Sequence, residues 1–134
     1  MKRLRGRKGL KRAAVAVEMA VVTPVLLTML FGIIEFGWLF TVRSTMVNAA
    51  REGARLGALQ GVSAAQIVDR TNELLVPMNI DDNCTVSVQM PTDAAPNVTV
   101  TVSAPRSSIS LLGNFFNMTS GTISGTASMR REGM

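Results

Sequence analysis

The chain has no histidine and no tyrosine, and only one cysteine, one tryptophan and five phenylalanines in 134 residues. Without histidine it lacks the usual general base near neutral pH and the commonest metal ligand. So few aromatics exclude a large aromatic core. The single cysteine, Cys84, cannot close an internal disulfide. It reads as a buried small hydrophobe, with an intermolecular bridge as the other option. Serines are numerous, but none sits in a strand–turn–helix nucleophile context. The acids form no pair at a defined spacing, and Asp81 with Asp82 reads as a turn. No metal cluster or phosphate-cradling glycine loop is visible. The sequence therefore predicts a protein that is not an enzyme, with no cofactor, no metal centre and no small-molecule substrate.

Charge is unevenly placed. Seven of the fourteen Lys and Arg residues lie in the first twelve positions (Lys2, Arg3, Arg5, Arg7, Lys8, Lys11 and Arg12), with no acid among them. From Ala13 onward there are seven basic and nine acidic residues, so the chain's net charge of +5 belongs to a short tail. Such a tail can bind nucleic acid. It directly precedes a long apolar run, however, and so reads as the cytoplasmic flank of a membrane segment. Residues 1–13 are expected to be a basic, disordered leader, and no nucleic-acid partner is expected.

The apolar run "AVAVEMAVVTPVLLTMLFGIIEFGWLF" spans Ala14 to Phe40 and has no charge between Met19 and Ile34. About 24 apolar residues rise about 36 Å as a helix, enough to cross a hydrocarbon core of about 30 Å. Residues 14–42 are thus expected to be a transmembrane helix embedded in membrane lipid. Pro24 should loosen or kink it, and Trp38 suits the headgroup level. Two carboxylates interrupt the run, Glu18 and Glu35. An acid at the centre of a membrane helix costs roughly 2.5–3.5 kcal/mol on insertion scales. These two stand 17 residues apart, about 25 Å, so they lie near opposite edges of the core. Glu35 is expected to snorkel to the outer interface or to find a helix partner. Glu18 lies just inside the run and needs a countercharge.

Residues 43–61 should extend the helix. In this stretch Ala49, Gly53 and Gly57 recur every four residues, as do Ala50, Ala54 and Ala58, making a face that another element can approach closely. Arg51, Glu52 and Arg55 read either as a solvated face with an i,i+3 ion pair or as a specific contact. Gly61 is the expected stop. Residues 62–134 then read as a small extracytoplasmic α+β domain. Ser63 with Gln66 forms a capping box, and Ile67, Val68, Thr71, Leu74 and Leu75 form a helical stripe that Pro77 should end. "CTVSVQM" and "NVTVTVS" alternate as two strands of a hairpin with one wet, Thr/Ser-rich side, and "GTISGTASMRRE" alternates as a last strand. Between them, residues 105–118, with Leu111, Leu112, Phe115 and Phe116, read as an apolar loop or helical turn. The fold class is α+β: a long N-terminal transmembrane helix extending into a small domain of helix and antiparallel sheet.

Residues 12–58 resemble the TadE-like family, the minor pilins or pseudopilins of tight-adherence (Flp, type IVc) pilus systems. The resemblance rests on the basic leader, Glu18 near the start of the apolar run, Pro24 six residues later, "FGIIEFG" and "NAAREGAR". Two positions depart from the family's pattern: Ala13 stands where Gly is more usual, and Met19 where an aromatic is. The resemblance implies a pilin-like fold and cutting between Ala13 and Ala14 by a prepilin peptidase. Glu18 would then be the acid at the fifth mature position, paired with a neighbouring subunit's ammonium. It also implies partners among other pilin or pseudopilin subunits and pilus assembly proteins. The expected location is the bacterial inner membrane, single-pass, with the N-terminus cytoplasmic and the C-terminal domain outside. Asn48, Ala49, Ala50, Arg51, Glu52, Gly53, Ala54 and Arg55 would form a helix-packing motif. The alternative is a permanently anchored single-pass envelope protein with a partner-binding domain and no pilus assembly. A secreted protein with the run as its signal peptide is disfavoured, because the run is too long and holds Pro24 and Glu35.

Overall fold

The computed structural model of the chain describes residues 4–92, 95–113 and 120–131, with residues 4–8 and 10 by backbone alone. Its order is α1 (Leu4–Gly57), α2 (Ala64–Glu73), two 3₁₀ turns (Val76–Met78 and Asp81–Asn83), β1 (Thr85–Gln89), β2 (Asn97–Pro105), α3 (Arg106–Ile109) and β3 (Thr122–Arg130). The expected α+β class stands: a long apolar N-terminal helix, further helices and a three-stranded antiparallel sheet. The chain divides into two compact units, Met1–Phe36 and Gly37–Met134.

The first unit is the N-terminal part of α1. Its helix starts at Leu4 rather than near Ala13, so from that residue the basic leader has helical rather than disordered backbone. Extending an existing helix adds one hydrogen bond per residue fixed, without a new nucleus, and Lys, Arg and Leu are good helix formers. The helix runs on through Pro24. The Thr28 hydroxyl donates to the Pro24 carbonyl at 2.8 Å, so this hydroxyl is satisfied within the helix. Apolar side chains point outward all round: Val15, Val25, Met29 and Ile33 are each more than half exposed. No side chain of the most apolar window is buried by the chain itself. A helix that is hydrophobic on every side and uncovered by protein suits lipid.

The second unit contains the C-terminal part of α1, packed with α2 over one face of the sheet. Leu39, Val42 and Met46 of α1 are buried with Ile67, Leu75, Val98, Val100 and Val102. Leu39 and Val42, expected in lipid, are thus core residues of the folded unit. Trp38 has a partner within the unit: its indole N–H donates to the Ile109 carbonyl at 2.7 Å, linking α1 to the turn that follows β2. The helix ends at Gly57, before the expected stop, and Gly61 (φ +81°) forms the following turn.

At α2 the capping box forms as the sequence predicts. The Ser63 Oγ accepts from the Gln66 N–H, and the Gln66 Oε1 accepts from the Ser63 N–H at 2.9 Å. Ile67 and Thr71 point inward. The helix stops at Glu73 rather than at Pro77, which lies in the first 3₁₀ turn. Glu73 is four residues before Pro77, and a proline ring clashes with the carbonyl at that distance in a helix.

The sheet has the order β1-β2-β3, antiparallel throughout. Val98, Val100, Val102 and Ala104 of the central strand are buried, and their neighbours on the other face are not. That outer face carries three cross-strand rungs. Thr85 pairs Ser103, which pairs Ser124. Ser87, Thr101 and Thr126 form the middle rung, and Gln89, Thr99 and Ser128 the last. Residues 106–109 make one helical turn, Leu111 is exposed, and Phe115 and Phe116 lie outside the described residues.

Candidate assembly segment

The residues singled out for processing and assembly all lie on α1. Ala13, Ala14 and Glu18 are on exposed helix. A carboxylate on a helix surrounded by exposed Val15, Val17 and Met19 would meet hydrocarbon unless a cation comes from outside its own chain. Glu35 differs. It is only 3% exposed, so it does not snorkel. It is not unpartnered either, and among the described residues no buried side-chain nitrogen or oxygen lacks a hydrogen bond. The two acids lie about 25 Å apart along the helix and about 100° apart around it.

The NAAREGAR stretch has two faces. Ala49, Ala50, Gly53 and Ala54 are buried, while Asn48, Arg51 and Arg55 are exposed and Glu52 is half-buried. The small face is a seat for the unit's own elements. A Cβ placed on Gly53 would collide with the Thr71 Oγ1, and one on Gly57 would come within 2.7 Å of Ile67 and 2.8 Å of Val98. α2 and β2 therefore reach the α1 backbone where a larger residue would exclude them.

The polar face carries an ion pair one turn long. The Arg55 Nη2 donates to the Glu52 Oε1 at 2.6 Å and its Nε to Oε2 at 2.9 Å. The Arg55 hydrogen bond holds the Glu52 carboxyl below its ordinary value, and the same bond raises the Arg55 guanidinium. Of the two readings open for these residues, the i,i+3 ion pair is formed, with Arg55 exposed and Glu52 half-buried. Arg70 pairs with Glu73 in the same way on α2, at 2.9 Å. Between the two helices lies a shallow groove of about 320 Å³, lined by Thr45, Asn48, Ala49, Glu52, Arg70 and Leu74.

Cys84 is a free, half-buried thiol. Burial pushes its pKa up, with Asp81 adding to the rise, which disfavours the reactive thiolate. Among the described residues, no three His, Cys, Asp or Glu side chains gather where they could hold a metal ion.

With this geometry in view, comparison with known families is informative. A family model described as TadE-like protein matches residues 13–55. The chain carries a TadE-like segment. No curated protein and no solved structure matches it. The TadE-like match begins at Ala13, covers both glutamates, and ends at Arg55, on the last helical turn seated in the folded unit. The segment is a candidate membrane span by length and composition. A match over this segment suggests association with pilus components, and the apolar helix is long and apolar enough to anchor the chain in a membrane.

One close approach escaped the sequence reading. A Cβ on Gly125 would lie 2.6 Å from the Val47 nitrogen and 2.8 Å from the Met46 carbonyl carbon. β3 thus meets the α1 backbone directly. The signal was an isolated glycine inside an alternating strand, which marks close backbone contact.

Proposed function

We propose that the chain is a minor pilin, or pseudopilin, of a tight-adherence pilus or a related secretion apparatus. Its work is structural rather than catalytic: it is anchored in the membrane and joins, or starts, the assembly. The observation that carries this reading is the coincidence of the TadE-like match with a helix that is apolar and exposed through Leu30 and whose C-terminal part belongs to a folded unit.

Orientation follows from charge, and processing from the TadE-like resemblance. The basic leader stays cytoplasmic and the domain crosses to the other side. A prepilin peptidase cuts between Ala13 and Ala14, leaving a new ammonium on Ala14 and Glu18 as the fifth residue. Inside hydrocarbon, a lone carboxylate and a lone ammonium are each costly, and pairing them between neighbouring subunits offsets part of both penalties. Glu18 therefore rewards lateral packing of the helices, where a plain tether has no use for an acid. The NAAREGAR small face serves the chain's own fold, and subunit contacts fall to the exposed apolar helix.

The test is Glu18→Gln in the native host. The side chain keeps its shape, exchanges one acceptor oxygen for a donor NH2, and loses its charge. Membrane insertion should be unchanged, and pilus assembly should fall. Normal pili from this variant would sink the pairing mechanism.

A further inference from the structure

We propose that the outer face of the sheet is a docking surface for an extended, neutral polysaccharide. The inference does not rest on pilus assembly. It starts from the ladder register, which brings three rungs of three side chains onto one face, all hydroxyls except the Gln89 amide. Among the described residues, no charged and no apolar side chain interrupts the three rungs. The nearest charge in the register is Arg130, at the end of the ladder opposite Asn97.

The pattern is held in place. The Thr99 Oγ1 donates to the Ser128 Oγ at 3.0 Å, and the Thr101 and Thr126 hydroxyls bond at 3.1 Å. A hydroxyl has one donor and two acceptor sites, so each of these four keeps hydrogen-bonding capacity toward a ligand. The rung residues of β1 and β3 are exposed, and those of β2 are half-buried. The result is a lattice of donors and acceptors about 4.8 Å apart across the strands and about 6.8 Å apart along them.

Three features select the occupant. The face measures roughly 14 by 20 Å, about 300 Å², far below the 800 Å² or so per partner of a stable protein interface. A second copy of the chain therefore does not suffice to cover it. It has no apolar centre, so it does not suit a hydrophobic helix or lipid. It has no cation or anion in the rungs, so its complement is uncharged. An extended chain bearing regularly spaced hydroxyls meets all three conditions. Each hydrogen bond gained replaces one to water, so a single domain binds weakly and many copies on one surface bind by avidity.

The experiment uses the full chain reconstituted in lipid vesicles, which displays many copies. Retention is measured on microcrystalline cellulose and on chitin, both neutral and extended. Vesicles should be retained on at least one, and equally between about 0.05 and 1 M salt, because no charge is screened. The triple variant Ser87→Ala, Thr101→Val, Thr126→Val should lose at least about tenfold of the retention, since the whole middle rung is gone. Thr126→Lys, at an exposed edge position that leaves the central strand untouched, should lose it too; Trp38 fluorescence confirms that each variant is folded. Retention on neither polymer would overturn the proposal. So would retention that falls with salt, or retention that survives both variants.

Discussion

Replacing Gly125 by alanine probes the contact on which the folded unit depends. The new Cβ would stand 2.6 Å from the Val47 nitrogen and 2.8 Å from the Met46 carbonyl carbon. Comfortable contact between such atoms begins near 3.5 Å, so α1 and β3 must separate by about 1 Å. Both neighbours are helix backbone, which cannot rotate away as a side chain would. Overpacking of this kind costs about 1–3 kcal/mol. Alanine recovers about 0.4–1 kcal/mol by stiffening the unfolded chain, so a net loss of about 1–2 kcal/mol remains. For a unit of about 100 residues, each kcal/mol moves the midpoint by roughly 4–8 °C. The assay is thermal unfolding of the full chain in detergent micelles, followed by fluorescence of Trp38. That residue is the only tryptophan, and its N–H is tied to the Ile109 carbonyl. Gly125→Ala should melt at least about 4 °C below the wild type. Gly37→Ala, whose Cβ meets nothing within 4 Å, should melt no lower. A Gly125→Ala midpoint at or above the wild type would refute the close seating of β3 on α1.

Ser63→Ala removes the hydroxyl that caps α2 and should lower stability by about 1 kcal/mol in the same melt, with Ser63→Asp close to wild type. Cys84 should react with iodoacetamide more slowly in the folded chain than in urea at the same pH, because burial disfavours its thiolate. The sign for stability follows. The unfolded thiol ionises near its ordinary value of 9.0 and the folded one higher, so stability falls as the pH rises through that value. Cys84→Ala should remove this alkaline slope. Glu52 works in the opposite direction: its carboxyl is depressed by Arg55, so whatever the pair contributes is lost only as the pH falls below the ordinary 4.5.

Periodicity made the strands and their faces legible, and hydroxyl-plus-amide spacing made the α2 cap legible. Val98, Val100 and Val102 could occupy only one face, and Ser63 with Gln66 has one geometry in which both backbone donors are satisfied. The Ala and Gly recurrence at 49–57 announced a tight helix contact, although it named no partner, since small residues report only how near something comes. The outer end of the membrane run was not legible. Leu39 and Val42 look the same in sequence whether lipid or protein covers them, and the domain covers them. The partner of Trp38 was not legible for a similar reason: an indole N–H seeks any acceptor, and the Ile109 carbonyl lies 71 residues away in sequence. Glu35 was legible as an anomaly but not as a buried group.

The central claim is that the TadE-like helix belongs to a processed assembly subunit. The direct measurement is the intact mass and N-terminal sequence of the protein taken from its native membranes. The account predicts a mature chain beginning at Ala14, with Glu18 as its fifth residue, and a block of that processing by Ala13→Lys. A chain that keeps its basic leader, in the wild type as in the variant, would contradict processing at this site and would favour a plain membrane anchor.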